Sequence, residues 1–494
     1  VNTLKRRHAL QQALRPAARP GVLPARPVCV PAPGQRCEHA LVDAELNARL
    51  FDYERRVRGR FDAIVPTLRA ISALQHEADF AERAQRIAEE ALGYALPDEL
   101  LANAWIAGLD LRALHSLCIF RSFRECIARA DADRAPWRER AAVDAAFLHG
   151  CGVHTLDVSP CADGRLQGVL PFVLRVAPHD DVSVKAYAGA LFDVEMDVAD
   201  WAARELLRRD GRLAAGTEST YLKVAVYHFS ASHPAHEGCA AHGSDDARAQ
   251  HAAAQRLREL RDAVRGSFGA QAPLHTLLVG VDTDSDAIRV HLPGADGEPQ
   301  AVVDSAALFR DTLGLAADDA REAIAVAVAR ADRGVMPAGL RRLVERLLEA
   351  NLSQIEYVIR HHGGRYADIG HNEAFICAGE AMSELQLRNQ YYFAHLDTVE
   401  EGAADLDVGV RIFSALNVAR GLPVPVLVHF HYASQVPGAR ARAEARCRRV
   451  KAAIESRFAA LHARGLLHCQ MAVSDLRGSE RCRFVEPDTG PALH

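Results

Sequence analysis

No apolar run in this chain approaches the roughly 18 residues needed to cross a bilayer, so a membrane-spanning helix is not expected. Residues 1–40, VNTLKRRHALQQALRPAARPGVLPARPVCVPAPGQRCEHA, hold no apolar core of the secretory-signal kind, which predicts a reducing compartment. The eleven cysteines should then be free thiols or ligands rather than disulfides. Cys118 in ALHSLCIF and Cys377 in EAFICAGE sit among apolar neighbours and read as small core residues. C-x-x-C pairs are absent, and so is the H-x-E…P-C-x-x-C pattern of the zinc deaminases. With a net charge of −5, the chain as a whole has no nucleic-acid footprint.

What is present is a globular composition, 49% apolar and 25% charged, over 494 residues, enough for about three domains. Residues 1–39 lack an acidic side chain before Glu38 but carry Lys5, Arg6, Arg7, Arg15, Arg19, Arg26 and Arg36 among prolines and alanines. Such a segment cannot bury enough apolar surface to fold alone, and it reads as a disordered basic arm with room for a short helix over 4–14. It is either a solvated tail or a docking arm for an acidic partner. Residues 40–145 are helical in pattern, with apolar residues at threes and fours in DAELNARLFDYERRVRGRFDAIVPTLRAIS and a glycine stop after ADFAERAQRIAEEAL. From 146 onward, strands (VHTLDVSP, STYLKVAVYHFS, LHTLLVGVD) alternate with helices, which predicts an α/β unit with a largely parallel sheet over 146–395. Residues 396–494 repeat part of that pattern: VYHFSAS lies against HFHYASQ, His431 falls opposite His228, and no cysteine follows soon after.

One stretch concentrates chemistry. DVSPCADGRL places Cys161, Asp163 and Arg165 at alternate positions after a predicted strand, so that all three can face one side of an extended segment. His228 ends a second strand, and Cys239 lies in the loop beyond it. Were those strands neighbours, two cysteines and a histidine would converge with one coordination position open, an arrangement used by catalytic zinc. The spacing also permits His236, three residues before Cys239, as the histidine. Taken singly, each of these residues is equally a buried thiol or a strand-end histidine.

CADGR followed by a strand-end histidine and a later cysteine resembles the C-x-D-x-R…H…C signature of β-class carbonic anhydrases. The longer His228–Cys239 spacing is similar to that of a divergent branch, the carboxysome shell carbonic anhydrases of autotrophic bacteria. That likeness extends through YLKVAVYHFS, GCAAHGS, LLVGVDTDSDAIRVHLP, NLSQIEYV and HLDTVEE, nearly the whole chain. It implies a helical N-terminal domain, a β-carbonic-anhydrase-like α/β domain and a degenerate, zinc-free C-terminal repeat of it. It implies one Zn²⁺ per chain on Cys161, His228 and Cys239, with Asp163 accepting a hydrogen bond from the attacking hydroxide and Arg165 clamping Asp163. In that family the ligand histidine closes a buried strand, which favours His228 over His236 in its proline-containing loop. Gly164 is expected to ease the turn between Asp163 and Arg165. His395 resembles a family position near the active site, and His233, His236 and His242 are further candidates for carrying the proton.

The implied activity is interconversion of CO2 and bicarbonate inside a carboxysome in the bacterial cytoplasm, supplying Rubisco. The basic arm would dock on shell protein or on Rubisco, and the chain would form a homodimer or higher oligomer, with neither nucleic acid nor membrane as partner. The rival readings are another zinc-water hydrolase and a non-catalytic carboxysome scaffold. Two other motifs are set aside. The aspartates of DTDSD (Asp282, Asp284, Asp286) resemble a calcium loop, but Ala287 and Pro293 occupy the positions where such loops need glycine and glutamate. RHHGGRYADIGH, with His361, His362 and His371, reads as a helix stop. Because two thiolates would cancel the charge of Zn²⁺, its water should be less acidified than in a three-histidine site. Turnover should therefore rise on the alkaline side, and a flat stopped-flow profile between about pH 6 and 9 would contradict this.

Overall fold

The computed structural model describes residues 38–102, 104–133, 135–368, 370–382, 385–476 and 482–485. The basic arm thus lies outside the described residues except at its last two positions, where His39 is buried with its Nε2 2.8 Å from Thr312 Oγ1.

β-branched and aromatic residues recur in the strands of the first sheet: β1 (Val153–Pro160), β2 (Val182–Val184), β3 (Thr220–Phe229), β4 (Leu274–Asp282), β5 (Ile288–Pro293) and β6 (Pro299–Asp304). Their spatial order is β2-β1-β3-β4-β5-β6, the first four parallel and the last two added antiparallel. β1 is buried from end to end and β3 nearly so, as expected of parallel strands covered on both faces. The helix Asp246–Phe268 joins β3 to β4. It starts at Asp245, whose carboxylate accepts from Arg248 N–H at 3.0 Å, and it buries Ala249, Ala253, Leu257, Leu260 and Val264 along one stripe.

A second sheet comprises β7 (Phe375–Gly379), β8 (Tyr391–His395), β9 (Val424–Tyr432), β10 (Leu467–Asp475) and β11 (Arg483–Phe484), in the order β11-β10-β9-β7-β8. It takes in residues ahead of the 395/396 boundary expected from the sequence. FICAG and YYFAH are five-residue apolar runs, too short for periodicity to assign. The pattern read over 43–72 forms two helices, Ala44–Asp62 and Ile64–Ser72, hinged at Ala63. The N-terminal helices pack on the second sheet rather than the first: Phe61 and Phe123 meet Phe375 with ring centroids 6.3 and 5.6 Å apart. The outer edge of β8 reaches the first unit, where Phe393 N–H donates to Ala162 O at 3.2 Å and His395 N–H to Ala186 O at 3.1 Å. Among the described residues no helix is long and apolar enough to cross a membrane.

Under the first sheet's carboxyl end lies a buried ionic cluster. Lys223 Nζ donates to Asp157 Oδ2 and to Ser159 Oγ, both at 2.8 Å, and also pairs with Asp197. Lys185 donates to Asp197 Oδ1 at 2.7 Å, and Tyr221 O–H to Asp157 at 2.7 Å. Burial alone would raise the Asp157 carboxyl; Lys223 and Lys185 hold it well below the usual range. The cluster ties β1 to β3, the two strands that deliver Cys161 and His228. Lys223→Ala should lower the free energy of unfolding by about 3–5 kcal/mol, because it leaves two buried carboxylates, Asp157 and Asp197, to share Lys185. Urea denaturation checks this, and a loss below about 1 kcal/mol would contradict it.

Candidate metal centre

Cys161 continues the line of β1, its N–H donating to Val226 O on β3 at 3.0 Å. His228 lies on the last turn of pleat in β3, fully buried. Cys239 precedes the short turn Ala240–His242, whose Ala241 and His242 N–H groups face its sulfur. The parallel register of β1 and β3 brings the first two residues side by side, and the loop after β3 folds Cys239 back over them. The ligand atoms of Cys161, His228 and Cys239 all lie within 4.8 Å of one another, with Sγ to Sγ at 3.8 Å. Both ring nitrogens of His228 are buried without a hydrogen-bond partner. Gly189 N–H points at Cys161 Sγ from 3.3 Å. The shared hydrogen bond and burial push the Cys161 thiol up, and the same bond draws Cys239 down. Two sulfurs and an unsatisfied imidazole are a donor set that suits zinc.

Beside this group stands a clamped carboxylate. Asp163 caps the turn Gly164–Leu166, its Oδ1 accepting Arg165 N–H at 2.9 Å. Arg165 then closes back on the same side chain, Nε to Oδ1 at 2.9 Å and Nη2 to Oδ2 at 2.6 Å. Its Nη1 donates to Glu237 O at 2.6 Å, so one guanidinium links Asp163 to the loop that carries Cys239. Burial would raise the Asp163 carboxyl; Arg165, then His228 and His371, hold it far below the carboxylate range. His228 Nε2 is 3.4 Å from Asp163 Oδ2. One local expectation changes. The segment after Cys161 is a tight turn rather than an extended strand. Gly164 eases the turn by leaving space, since a Cβ there would collide with the Glu373 side chain.

Sequence reasoning set His371 aside and did not name Glu373. In the structure, His371 Nδ1 is 3.0 Å from Glu373 Oε1 and its Nε2 is 3.9 Å from Asp163 Oδ2. Glu373 Oε1 also accepts Gly164 N–H at 3.1 Å. Asp163, His371 and Glu373 form a second group whose ligand atoms lie close together. A histidine and a glutamate two residues apart were the available signal, but nothing in the spacing connects them to residue 163. His361 and His362 do stay at the helix stop, stacked on Phe51 and 3.3 Å from Glu54 respectively. His236 and His233 are exposed in the loop before Cys239, and His242 is buried with its Nε2 3.2 Å from Gly189 O. His395 lines a cavity of about 620 Å³ with Tyr187, Ala188, Ala240 and Asp405, and burial lowers it to about 4. None of these four belongs to either group of potential metal ligands among the described residues. The same holds for Asp282, Asp284 and Asp286, whose carboxylates accept hydrogen bonds from protein donors such as Ala231 N–H, Ser232 N–H and Tyr366 O–H.

This fold and site define an α/β protein with a candidate cysteine–histidine metal centre at the carboxyl ends of its strands, beside an ion-paired carboxylate. Comparison with known proteins makes the class specific: the chain belongs to the carboxysome shell carbonic anhydrase family. The family's N-terminal, catalytic and C-terminal domain models match residues 39–131, 143–371 and 372–489. The carboxysome shell carbonic anhydrase of Parasynechococcus marenigrum (strain WH8102) is 47% identical over 466 residues, covering 92% of this chain and 80% of that protein. Those of Halothiobacillus neapolitanus and Prochlorococcus marinus (strain MIT 9313) are 42% and 44% identical, covering 90% and 95% of this chain and the same shares of theirs.

Burial would lower the His371 imidazole, but Asp163 and Glu373 outweigh it and raise it to about 9. A histidine with a raised folded value stabilises fully below its unfolded value of about 6.5, and that contribution is lost as pH rises through about 9. In the metal-free protein, His371→Ala should flatten the fall in unfolding free energy over that window, a difference on the order of 2 kcal/mol. Urea titrations across the window check this, and parallel curves for wild type and variant would contradict it.

Proposed function

We propose that this chain interconverts CO2 and bicarbonate at one zinc ion per chain, held by Cys161, His228 and Cys239. The observation that carries the reading is the convergence of these three side chains, with neither His228 nitrogen hydrogen-bonded to the protein. Zinc bound there supplies a Lewis acid that makes water a nucleophile near neutral pH. The remaining work falls to the chain's own groups. Asp163, kept ionised by Arg165, accepts a hydrogen bond from the attacking water and turns a lone pair toward the CO2 carbon. Being so weak a base, Asp163 does not keep the proton. His371 Nε2, 3.9 Å from Asp163 Oδ2 on a side chain 21% exposed, is placed to relay it: the imidazolium that Asp163 and Glu373 favour first gives its own proton to solvent and then receives this one.

The C-terminal half reads as a copy of the catalytic unit that has lost its ligands. The order β8-β7-β9-β10, all parallel and followed by antiparallel β11, matches β2-β1-β3-β4 followed by antiparallel β5. Pro160 pairs with Val226 and Gly379 with His429, which puts Glu380 at the place of Cys161 and His431 at the place of His228. There Glu380 Oε2 lies 2.9 Å from His431 Nδ1, and Arg446 Nη1 donates to Glu380 Oε1 at 3.1 Å. A guanidinium thus stands where the catalytic half would carry a metal cation. The hydrogen bonds from β8 to Ala162 and Ala186 then supply within one chain the pairing that β-class enzymes obtain from a second subunit.

The named relatives are carboxysome shell proteins, and the same location is proposed for this chain, delivering CO2 to Rubisco within the compartment. The basic segment before Glu38 is the proposed docking arm toward shell protein or Rubisco, with further self-association of the paired halves.

Zinc analysis together with stopped-flow CO2 hydration tests the reading. Wild type should hold near one zinc per chain, Cys161→Ser should lose both zinc and turnover, and Asp163→Asn should keep zinc while kcat/KM falls about 100-fold. Zinc without CO2 hydration in wild type would indicate a different metal-water reaction; neither zinc nor hydration would leave a scaffold.

A further inference from the structure

We propose that Asn389, contributed by the C-terminal half, is a positioning residue that fixes His371 against Asp163. The inference rests on the reading in which His371 receives the proton, and it assigns the setting of that geometry to the half of the chain without the Cys–His–Cys group.

Asn389 sits two residues before β8, 2% exposed, with φ at +56°. Asparagine tolerates that left-handed backbone where most residues do not. Its amide Nδ2 lies 3.0 Å from Asp368 O, 3.1 Å from Asp368 Oδ2 and 3.0 Å from Gly370 O. All three are acceptors, so the nitrogen and not the oxygen of the amide must face this loop. The last of them belongs to the residue immediately before His371. On its other side, the Asn389 backbone N–H donates to Gly164 O at 2.7 Å. Gly164 lies between Asp163 and Arg165, and its own N–H donates to Glu373, the partner of His371. One side chain therefore holds the loop that carries His371, and one backbone group holds the turn that carries Asp163.

Arg388 fixes Asn389 from behind. Its Nη1 pairs with Asp286 Oδ1 at 3.2 Å, its Nη2 donates to Thr283 O at 2.7 Å, and its guanidinium lies 3.9 Å above the Tyr366 ring. The latch is thus anchored to the loop after β4, in the catalytic half. The His371–Asp163 separation of 3.9 Å is already beyond a direct hydrogen bond. Displacements of about 1 Å there are enough to change a proton-transfer rate by large factors.

Asn389→Gly separates the two functions of the residue, since glycine accepts the left-handed backbone and keeps the N–H to Gly164 O while deleting the amide. The experiment compares wild type, Asn389→Gly and His371→Ala, each zinc-analysed, by stopped-flow hydration with and without added imidazole. Hydrogen exchange over residues 366–373 is followed in parallel. Because release of the proton to buffer follows CO2 conversion, a misplaced His371 should lower kcat about tenfold and leave kcat/KM within about twofold. Imidazole should restore the lost kcat in both variants, and exchange in the 366–373 segment should rise in Asn389→Gly. The inference is overturned if His371→Ala shows this pattern while Asn389→Gly turns over normally. It is also overturned if kcat and kcat/KM fall together in Asn389→Gly without imidazole rescue, which marks a merely structural role. A normal kcat in His371→Ala defeats instead the reading on which the inference rests. Should Asn389→Gly not yield zinc-loaded protein, Asn389→Asp, which sets a carboxylate against the Asp368 oxygens, takes its place with the same expected pattern.

Discussion

Two buried sulfurs 3.8 Å apart, beside an imidazole with no hydrogen-bond partner, are the constraint around which this fold is organised. Left to themselves, such groups cannot all lose their protons in the interior; a cation satisfies them together. That requirement propagates outward. A carboxylate set next to the group, Asp163, needs its own counter-charge, and Arg165 provides it with two parallel hydrogen bonds. Arg165 in turn reaches the carbonyl of Glu237 and so braces the loop of Cys239. Further out, Lys223 and Lys185 neutralise Asp157 and Asp197 beneath the strand ends. Apart from the Asp163–Arg165 pair, which lies within one turn, these buried charges are met by neighbours on different elements and so also hold the elements in register.

The two halves solve the same problem differently. At the strand-end position of the second sheet, Glu380 is paired with both His431 and Arg446, and the sequence there needs no thiol. The second sheet also serves as the surface on which the N-terminal helices pack, and through β8 and Asn389 it touches the turn and the loop flanking Asp163. Although it holds no Cys–His–Cys group among the described residues, that half is not independent of the geometry of the other. This is why a change as remote in sequence as Asn389 belongs to the same account as Asp163.

Much of this was legible in the sequence, for identifiable reasons. β3, β4, β9 and β10 are nine or ten residues rich in β-branched and apolar side chains and bounded by turns, and the helix Asp246–Phe268 has a clear apolar stripe and an aspartate cap, so their type and extent follow from pattern. Cys161, His228 and Cys239 could be brought together because two of them end neighbouring strands. β7 and β8 were not legible: five apolar residues fit a strand or a buried helix turn equally well. His371 was set aside because it follows a true helix stop at Gly363, and only a contact across more than two hundred residues of chain brings it near Asp163. The particular neighbour that makes Gly164 necessary was hidden for the same reason, since the Glu373 side chain that excludes a Cβ comes from a distant segment. Local pattern specifies elements; these meetings are set by tertiary packing.

The central claim is the composition of the proposed metal centre, and X-ray absorption at the zinc edge of the purified full chain tests it most directly. The account predicts two sulfur scatterers at about 2.3 Å and lighter nitrogen or oxygen scatterers at about 2.0–2.2 Å. A spectrum with only nitrogen and oxygen neighbours, or with a single sulfur, would contradict it.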